Sequence, residues 1–512
     1  MEQNPLLMES GLQWLTKKAR EYCYPLLSAL ICGLLAYGFF FTNKLVNHDE
    51  VNTLFGKGGT LELGRWGLKF ATAIFPNYSM PWIYGILTVS LIAVSTCVMV
   101  HIFHIRSKLL QVLLAGTVAV FPSLTATMAY MFTVAPYALA FLLAVVTVQL
   151  LQQPKKWQIL LAVVLMVASL SLYQAYISIT AGLLLLVLVQ RLLEQEPVPQ
   201  VFRRGLWYLL FLAVSVGLYF VLTQILMAVK GSGFSSYADD SLSINLAEIP
   251  KNILLAYQSF FQFFTEGFHG IMPTPFSRVI HWILLVGILM GLLLWILSQN
   301  KIAWDRLFLL ALALCLLPLA INCMRLFTTD SAFHTLILYG FISFYILAVI
   351  LAETCCRLSR TSRSRRVVPE VITLSLAMVL AANIYLANVV SLNLHLRYEN
   401  TYGFYTALIA DLQQMPSFNQ NTKLALVGDY HSPTYYYVQF KDLESITGVT
   451  GFLPSDYSKE RFMEFYMGFP VSFADDEEMA TLQQLSQVQQ MPCYPYYGSM
   501  QFIGDILVVK LS

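Results

Sequence analysis

The sequence predicts a polytopic α-helical membrane protein of about eleven transmembrane helices, with interfacial amphipathic helices in the outer loops and a small C-terminal extracytoplasmic α/β domain. Composition is the first reason: of 512 residues, 57% are hydrophobic and 12% charged, with a mean hydropathy of +0.64. A soluble domain carries about a quarter charged residues. The second is continuity, because apolar residues run almost unbroken over stretches such as 279–297 and 371–390, and about 20 are enough to cross a bilayer as a helix. The third is the change of pattern beyond residue 392, where short alternating segments replace the long runs.

The spans are placed near 22–42, 80–102, 109–121, 124–151, 157–171, 172–190, 206–229, 278–297, 307–322, 335–352 and 369–391. Alternate connections carry Lys17, Lys18, Arg20, Arg106, Lys108, Lys155, Lys156, Arg191, Arg203, Arg204, Lys301, Arg306, Arg357, Arg360, Arg363, Arg365 and Arg366. Lysine and arginine concentrate in short cytoplasmic loops, so this side is read as cytoplasmic. An odd number of spans then places the N-terminus inside. Loops 43–79, 230–277 and 323–334 and the tail fall outside. The first span is longer than a signal peptide's apolar stretch and lacks a small-residue cleavage site, so it reads as a retained anchor. Residues 1–391 form the expected transmembrane domain and 392–512 the outer α/β domain. In the tail, a helix over 396–415, strands over 424–427 and 435–440, a helix over 478–490 and a hairpin over 500–511 are expected, with Gly504-Asp505 as its turn.

Candidate chemistry sits in the outer loops. Asp49 and Glu50 follow the first span by a few residues, where partial desolvation raises a carboxylate's basicity and suits a general base. The competing reading is a solvated loop with Asp49 as a helix N-cap. Residues 60–75 read as an interfacial helix with Glu62, Arg65, Lys69 and Thr72 on one stripe and Leu63, Trp66, Phe70 and Ile74 on another. Arg65 and Lys69 could hold a phosphate near the carboxylates, or anchor the helix to anionic lipid.

Tyr173, Gln174 and Tyr176 interrupt an apolar run, and an intramembrane glutamine needs a partner or a watery cavity. Arg325 places a fixed positive charge at the same level. His48 beside Asp49 and Glu50 could complete a magnesium or manganese site, but no zinc spacing is present. The long loop 230–277 is read as a second interfacial segment, its Phe260, Phe261, Phe263 and Phe264 facing lipid or lining a lipid passage, with Glu266 and His269 behind them. The eight cysteines make no framework, although Cys323 and Cys493 could pair outside. No internal repeat, P-loop or dinucleotide fingerprint is present, which argues against a nucleotide-driven pump.

Asp49-Glu50, Gly64-Arg65-Trp66, Tyr173-Gln174-Ala175-Tyr176 and the ending from Phe502 to Ser512 together carry a resemblance. Over nearly its whole length the chain resembles the bacterial O-antigen glucosyltransferases of Gtr type II, within the C-type (GT-C) membrane glycosyltransferase superfamily. The resemblance implies a polyprenyl-phosphate-linked sugar donor, often undecaprenyl-phosphate glucose, and a surface glycan or glycolipid acceptor outside the bacterial inner membrane. It also implies inversion with little or no metal dependence, and a pair of acids, commonly Asp-Asp, where this chain has Asp49-Glu50.

The mechanism expected from the residues has the same form. Asp49 is the base and Glu50 a positioning group; Arg65, Lys69 and Arg325 meet the phosphate; Tyr173, Gln174 and Tyr176 line the cavity. The rival is a transporter or flippase of lipid-linked sugars, which would favour repeats and mid-membrane charges that are not evident here. A glycan receptor would leave the Asp49-Glu50 loop without a task.

Overall fold

The computed structural model describes residues 13, 16–45, 47–54, 60–71, 74–75, 78–234, 247–267, 275–299, 303–326, 334–358, 366–419, 421–428, 446–448 and 456–512. The apolar runs are helical, as a backbone in lipid must be to satisfy its own polar groups. In order they are α1 (Cys23–Thr42), the short loop helices α2 (His48–Asn52) and α3 (Gly67–Ala71), α4 (Pro81–Ile102), α5 (Lys108–Ala119), α6 (Pro122–Met128) and α7 (Met131–Leu150). Then come α8 (Lys156–Leu172), α9 (Ile177–Leu193), α10 (Val198–Lys230), α11 (Ile249–Gln262), α12 (Pro275–Leu297), α13 (Trp304–Ile321), α14 (Ile342–Leu358) and α15 (Val367–Gln414).

Among the described residues, nine helices are long and apolar enough to cross a membrane, α9 and α14 together with the 3-10 turns Gln174–Tyr176 and Thr335–Phe341 that lead into them, as Gln174–Leu193 and Thr335–Leu358. The α5–α6 pair makes a further segment bent by 41°, and α8 is apolar but only 17 residues long. The eleven expected spans fall on these segments, except that α6, placed at the start of the expected 124–151 span, pairs with α5, and among the described residues nine segments, or ten with that pair, have the length and apolarity of a span. The bend falls at Phe121, which is extended because Pro122 follows it.

Within the bundle α1 packs on α4 and α5, α7 on α4 and α8, and α12 on α14 and α15. The basic connections gather at one end. Arg204 donates to Gln152 O at 3.0 Å, Arg306 to Leu192 O at 2.9 Å, and Arg191 to the Gln152 side chain at 3.3 Å. Buried Glu353 accepts from the Ser107 backbone at 3.0 Å. The loop helix α2 lies at the other end, against the tail.

The tail's sheet has the order β2-β1-β4-β3, from β1 (Lys423–Val427), β2 (Ser472–Phe473), β3 (Met500–Ile503) and β4 (Ile506–Lys510). β1 is parallel to β2 and β4, and β3–β4 is the expected hairpin. The sheet is covered on both faces, which is why β1 and β4 are apolar at nearly every position. Leu424, Leu426, Leu507 and Val509 pack with Phe404, Leu408 and Leu412 of α15 and Phe462 of α16 (Asp456–Phe465). Ala425, Val427, Ile506 and Val508 pack with Leu482 of α17 (Asp476–Gln484) and Val488 of α18 (Ser486–Gln490).

Several local expectations change. The last span and the 396–415 helix are one 48-residue helix, α15, since no proline or glycine interrupts residues 391–402. The single helix expected over 478–490 is two, parted at extended Leu485. The 60–75 helix shrinks to five-residue α3, preceded by a turn in which Gly64 has φ +69°; Phe70 and Ile74 are nonetheless exposed. Phe260, Phe263 and Phe264 do not face lipid: they are buried against Phe341 and Phe344, and of the four only Phe261 is exposed. The 435–440 strand, Thr72, His269 and the Glu266 side chain lie outside the described residues.

Candidate active site

α2 starts where it does because Asn47 caps it. Extended Asn47 accepts from the Glu50 backbone N–H at 2.8 Å through its side-chain oxygen, and its amide donates to Ala129 O at 2.8 Å. The cap is therefore Asn47, two residues before the expected Asp49. The two acids then sit in the first turn, where the helix dipole favours negative charge. Neighbours on a helix point about 100° apart, and this separates the pair.

Glu50 is fully buried. Its carboxylate accepts from Lys44 Nζ, Ser79 Oγ and, at 3.2 Å, the Phe132 N–H; Lys44 also donates to Ser79 Oγ at 2.6 Å. A buried charge needs such compensation. Asp49 is 43% exposed, with His48 Nε2 3.7 Å from its carboxylate. Val51, the next residue, belongs to the hydrophobic core of the tail. The loop helix is thus held by Glu50 to the bundle and by Val51 to the tail, with Asp49 left at the surface between them.

Arg65 is seated by aromatic rings. Its Nη1 donates to Tyr137 Oη at 3.0 Å, and its guanidinium lies 5.2 Å from the centre of the Tyr173 ring, which stacks on Tyr137 at 4.2 Å. Gln174 pins the turn before Arg65: its amide donates to Leu63 O at 2.7 Å and to Tyr219 Oη at 3.0 Å, and Tyr219 Oη donates to Gly64 O at 2.8 Å. A Cβ on Gly64 would come within 2.6 Å of Tyr219 Oη, so both the left-handed backbone and the close approach require glycine. Trp66 donates to Thr223 Oγ1 of α10 at 3.0 Å. Tyr176 is buried edge-on to Tyr173 and Phe141.

Phe132, which binds Glu50, and Tyr137, which binds Arg65, are five residues apart on α7, or about 7.5 Å along its axis. The acid loop and the Arg65 turn are thus both anchored to the N-terminal part of one helix. His334 faces the same place: burial and the Arg65 charge hold its imidazole below the ordinary value of 6.5. Lys69 is exposed on α3. Arg325 is buried in the Cys323–Leu326 turn after α13, a turn packed on α11 and α9. Above Glu50, burial, the Glu50 charge and Tyr398 push the Tyr466 hydroxyl up, and that hydroxyl has no hydrogen-bond partner among the described residues.

Among the described residues no three His, Cys, Asp or Glu side chains gather as a metal-ligand group. Glu50 faces Lys44 and Ser79, so among the described residues of this loop a magnesium or manganese ion would draw on His48 and Asp49. Cys323 and Cys493 are both free.

Lys44, Ser79, Tyr137, Tyr219 and His334 were not singled out from the sequence. Lys44 did carry a signal, as a lysine directly after a span on the side where the charge rule disfavours it. Tyr137 and Tyr219 look like any aromatic in an apolar run. No curated protein and no solved structure matches the chain. Residues 38–345, which include the acid pair, Arg65, the Tyr173–Tyr176 segment, Arg325 and His334, match the family described as glucosyl transferase GtrII. That match covers more than half of the chain, and the protein is therefore a multi-pass membrane transferase belonging to the GtrII glucosyl transferase family.

Proposed function

We propose that this transferase moves a hexose, glucose by its family, from a polyprenyl-phosphate donor to a surface glycan or glycolipid outside the bacterial inner membrane, with inversion. The observation that carries this reading is the division of the acid pair: Glu50 is buried and bound by Lys44, Ser79 and Phe132, while the Asp49 side chain is 43% exposed next to His48. Asp49 takes the acceptor hydroxyl proton as the oxygen attacks the anomeric carbon, and the bond from that carbon to the lipid phosphate oxygen breaks. The electron pair leaves on the phosphate, where Arg65, with Lys69 and Arg325 as further cations, stabilises it. Glu50, Gln174 and Tyr176 position these groups. The transferred proton leaves Asp49 to solvent.

The placement of the basic loops supports an extracytoplasmic site. The basic loops collect at the end of the bundle opposite α2, and short cytoplasmic loops are the basic ones. A divalent ion at His48 and Asp49 is not required by this chemistry, so chelation is expected to leave transfer largely intact. The test is purified protein in proteoliposomes given a radiolabelled polyprenyl-phosphate hexose and a lipid-linked glycan. Label appearing in the glycan is the expected result. Donor that crosses the bilayer without transfer would make the protein a flippase and end this reading.

A further inference from the structure

We propose that a groove between α9, α10 and α13 holds the polyprenyl chain of the donor, a proposal that rests on the donor class given above. The groove has a volume of about 530 Å³ and is walled by Ile177 and Leu184 of α9, Leu209 and Val216 of α10, and Leu312 and Leu316 of α13. It exists because α10 and α13 both rest on α9 but touch each other only slightly. Small residues, Ala181, Gly205, Ala213, Ala313 and Ala320, line it where larger ones would close the gap.

Its shape fits one long apolar chain. From Ile177 to Leu192 it follows α9 for about 22 Å, most of an apolar layer about 30 Å thick. Leu209 and Leu312 are exposed, so the groove opens sideways, toward the lipid. Among the described residues none that lines it is charged.

The two ends differ, and this gives the chain a direction. At the α2 end, Ile177 directly follows the Gln174–Tyr176 turn that pins the Arg65 loop, and Cys323 and Leu326 bracket buried Arg325. At the other end three of the described arginines are engaged, Arg191 by Glu196, Arg204 by Gln152 O and Arg306 by Leu192 O, while Arg203 is exposed. A phosphate between Arg65 and Arg325 would therefore lead its chain down the groove, away from the reacting carbon.

Two measurements test this. In the first, the wild-type protein in proteoliposomes is irradiated with a polyprenyl phosphate bearing a diazirine in its chain, and the adducts are mapped by mass spectrometry. Adducts on the groove-facing residues of α9, α10 and α13, displaced by unlabelled polyprenyl phosphate but not by phospholipid, are expected. Adducts elsewhere, or equal displacement by phospholipid, which marks an ordinary lipid contact, would overturn the groove assignment. In the second, Ala181→Trp and Ala320→Trp are assayed with a long-chain donor and with a short-chain donor carrying the same sugar phosphate. Filling the groove should raise KM for the long chain by about tenfold while leaving the short-chain KM near wild type, as expected for lost apolar contact. Unchanged KM for both donors contradicts the groove. A wild-type protein that uses neither donor refutes the donor class itself, a result distinct from the other two.

Discussion

Asp49 and Glu50 differ by one methylene and one position, yet their surroundings differ sharply: Glu50 is buried and ion-paired, and the Asp49 side chain is 43% exposed. Asp49→Asn keeps shape and removes the proton acceptor. Turnover is expected to fall by about 100 to 10,000-fold, the usual worth of a general base, with donor binding and melting temperature preserved. Glu50→Gln is expected to act on stability, because breaking a buried ion pair costs about 3–5 kcal/mol; a lowered melting temperature checks it. If Glu50→Gln instead abolishes transfer in a fully stable protein, the two roles are exchanged. Arg65 gives a graded prediction. Arg65→Ala should lower kcat/KM for the donor more than Arg65→Lys, since lysine keeps the charge and only arginine keeps the fork and the ring contact. An anchor role would instead leave both variants active in detergent.

His334 supplies the pH dependence. Burial and Arg65 lower its folded value beneath 6.5, so the unfolded chain takes up the proton first as pH falls. The stabilisation is full above about 6.5 and is lost as pH drops through the lowered folded value. Unfolding curves across that range should show acid destabilisation that His334→Gln removes.

At the scale of elements, α2 is a five-residue helix too short to stand alone, and its position is set by what grips it. Asn47 and Glu50 bind the bundle, Val51 enters the tail core, and α16 packs over it. The tail reaches further through residues 446–448. Ile446 is buried in the core of the bundle, and Thr447 Oγ1 accepts from the Thr335 N–H at 2.9 Å. Gly448, at φ +82°, lies so close that a Cβ would come 2.6 Å from the Tyr130 ring and 3.0 Å from Asn47 Nδ2. Gly448→Val should therefore unseat this segment and loosen the Asn47 cap. The expected outcome is faster proteolysis of the tail and reduced transfer; unchanged proteolysis would mean that the segment does not hold α2.

For the whole molecule, the central prediction is the side of the membrane. In a background without native cysteines, a membrane-impermeant thiol reagent should label a cysteine at exposed Ser486 in intact spheroplasts, and should label one at exposed Gln153 only after permeabilisation. The reverse pattern would place Asp49 in the cytoplasm and exclude a surface acceptor. A single helix, α15, ties the two halves together, contributing Ile372 to Leu394 to the bundle core and Phe404 to Leu412 to the tail core.

The sequence by itself determined the spans, the gathering of basic loops at one end, the acid pair and the hairpin, because each rests on local chemistry: apolar length, loop charge, residue type and turn residues. It also carried the family. Tertiary structure decided which carboxylate is buried, since that depends on Lys44, Ser79 and Phe132 arriving from three separate segments. It likewise showed that Gln174 binds Leu63 O and Tyr219 rather than an open cavity. The order of helices was beyond reach for a related reason. The most apolar stretches of Val198–Lys230 and Thr335–Leu358 are equally apolar, yet 22% of the residues in the first and 89% in the second are buried. An apolar side chain is equally at home against lipid or another helix, so only packing separates the helix at the rim from the one at the centre.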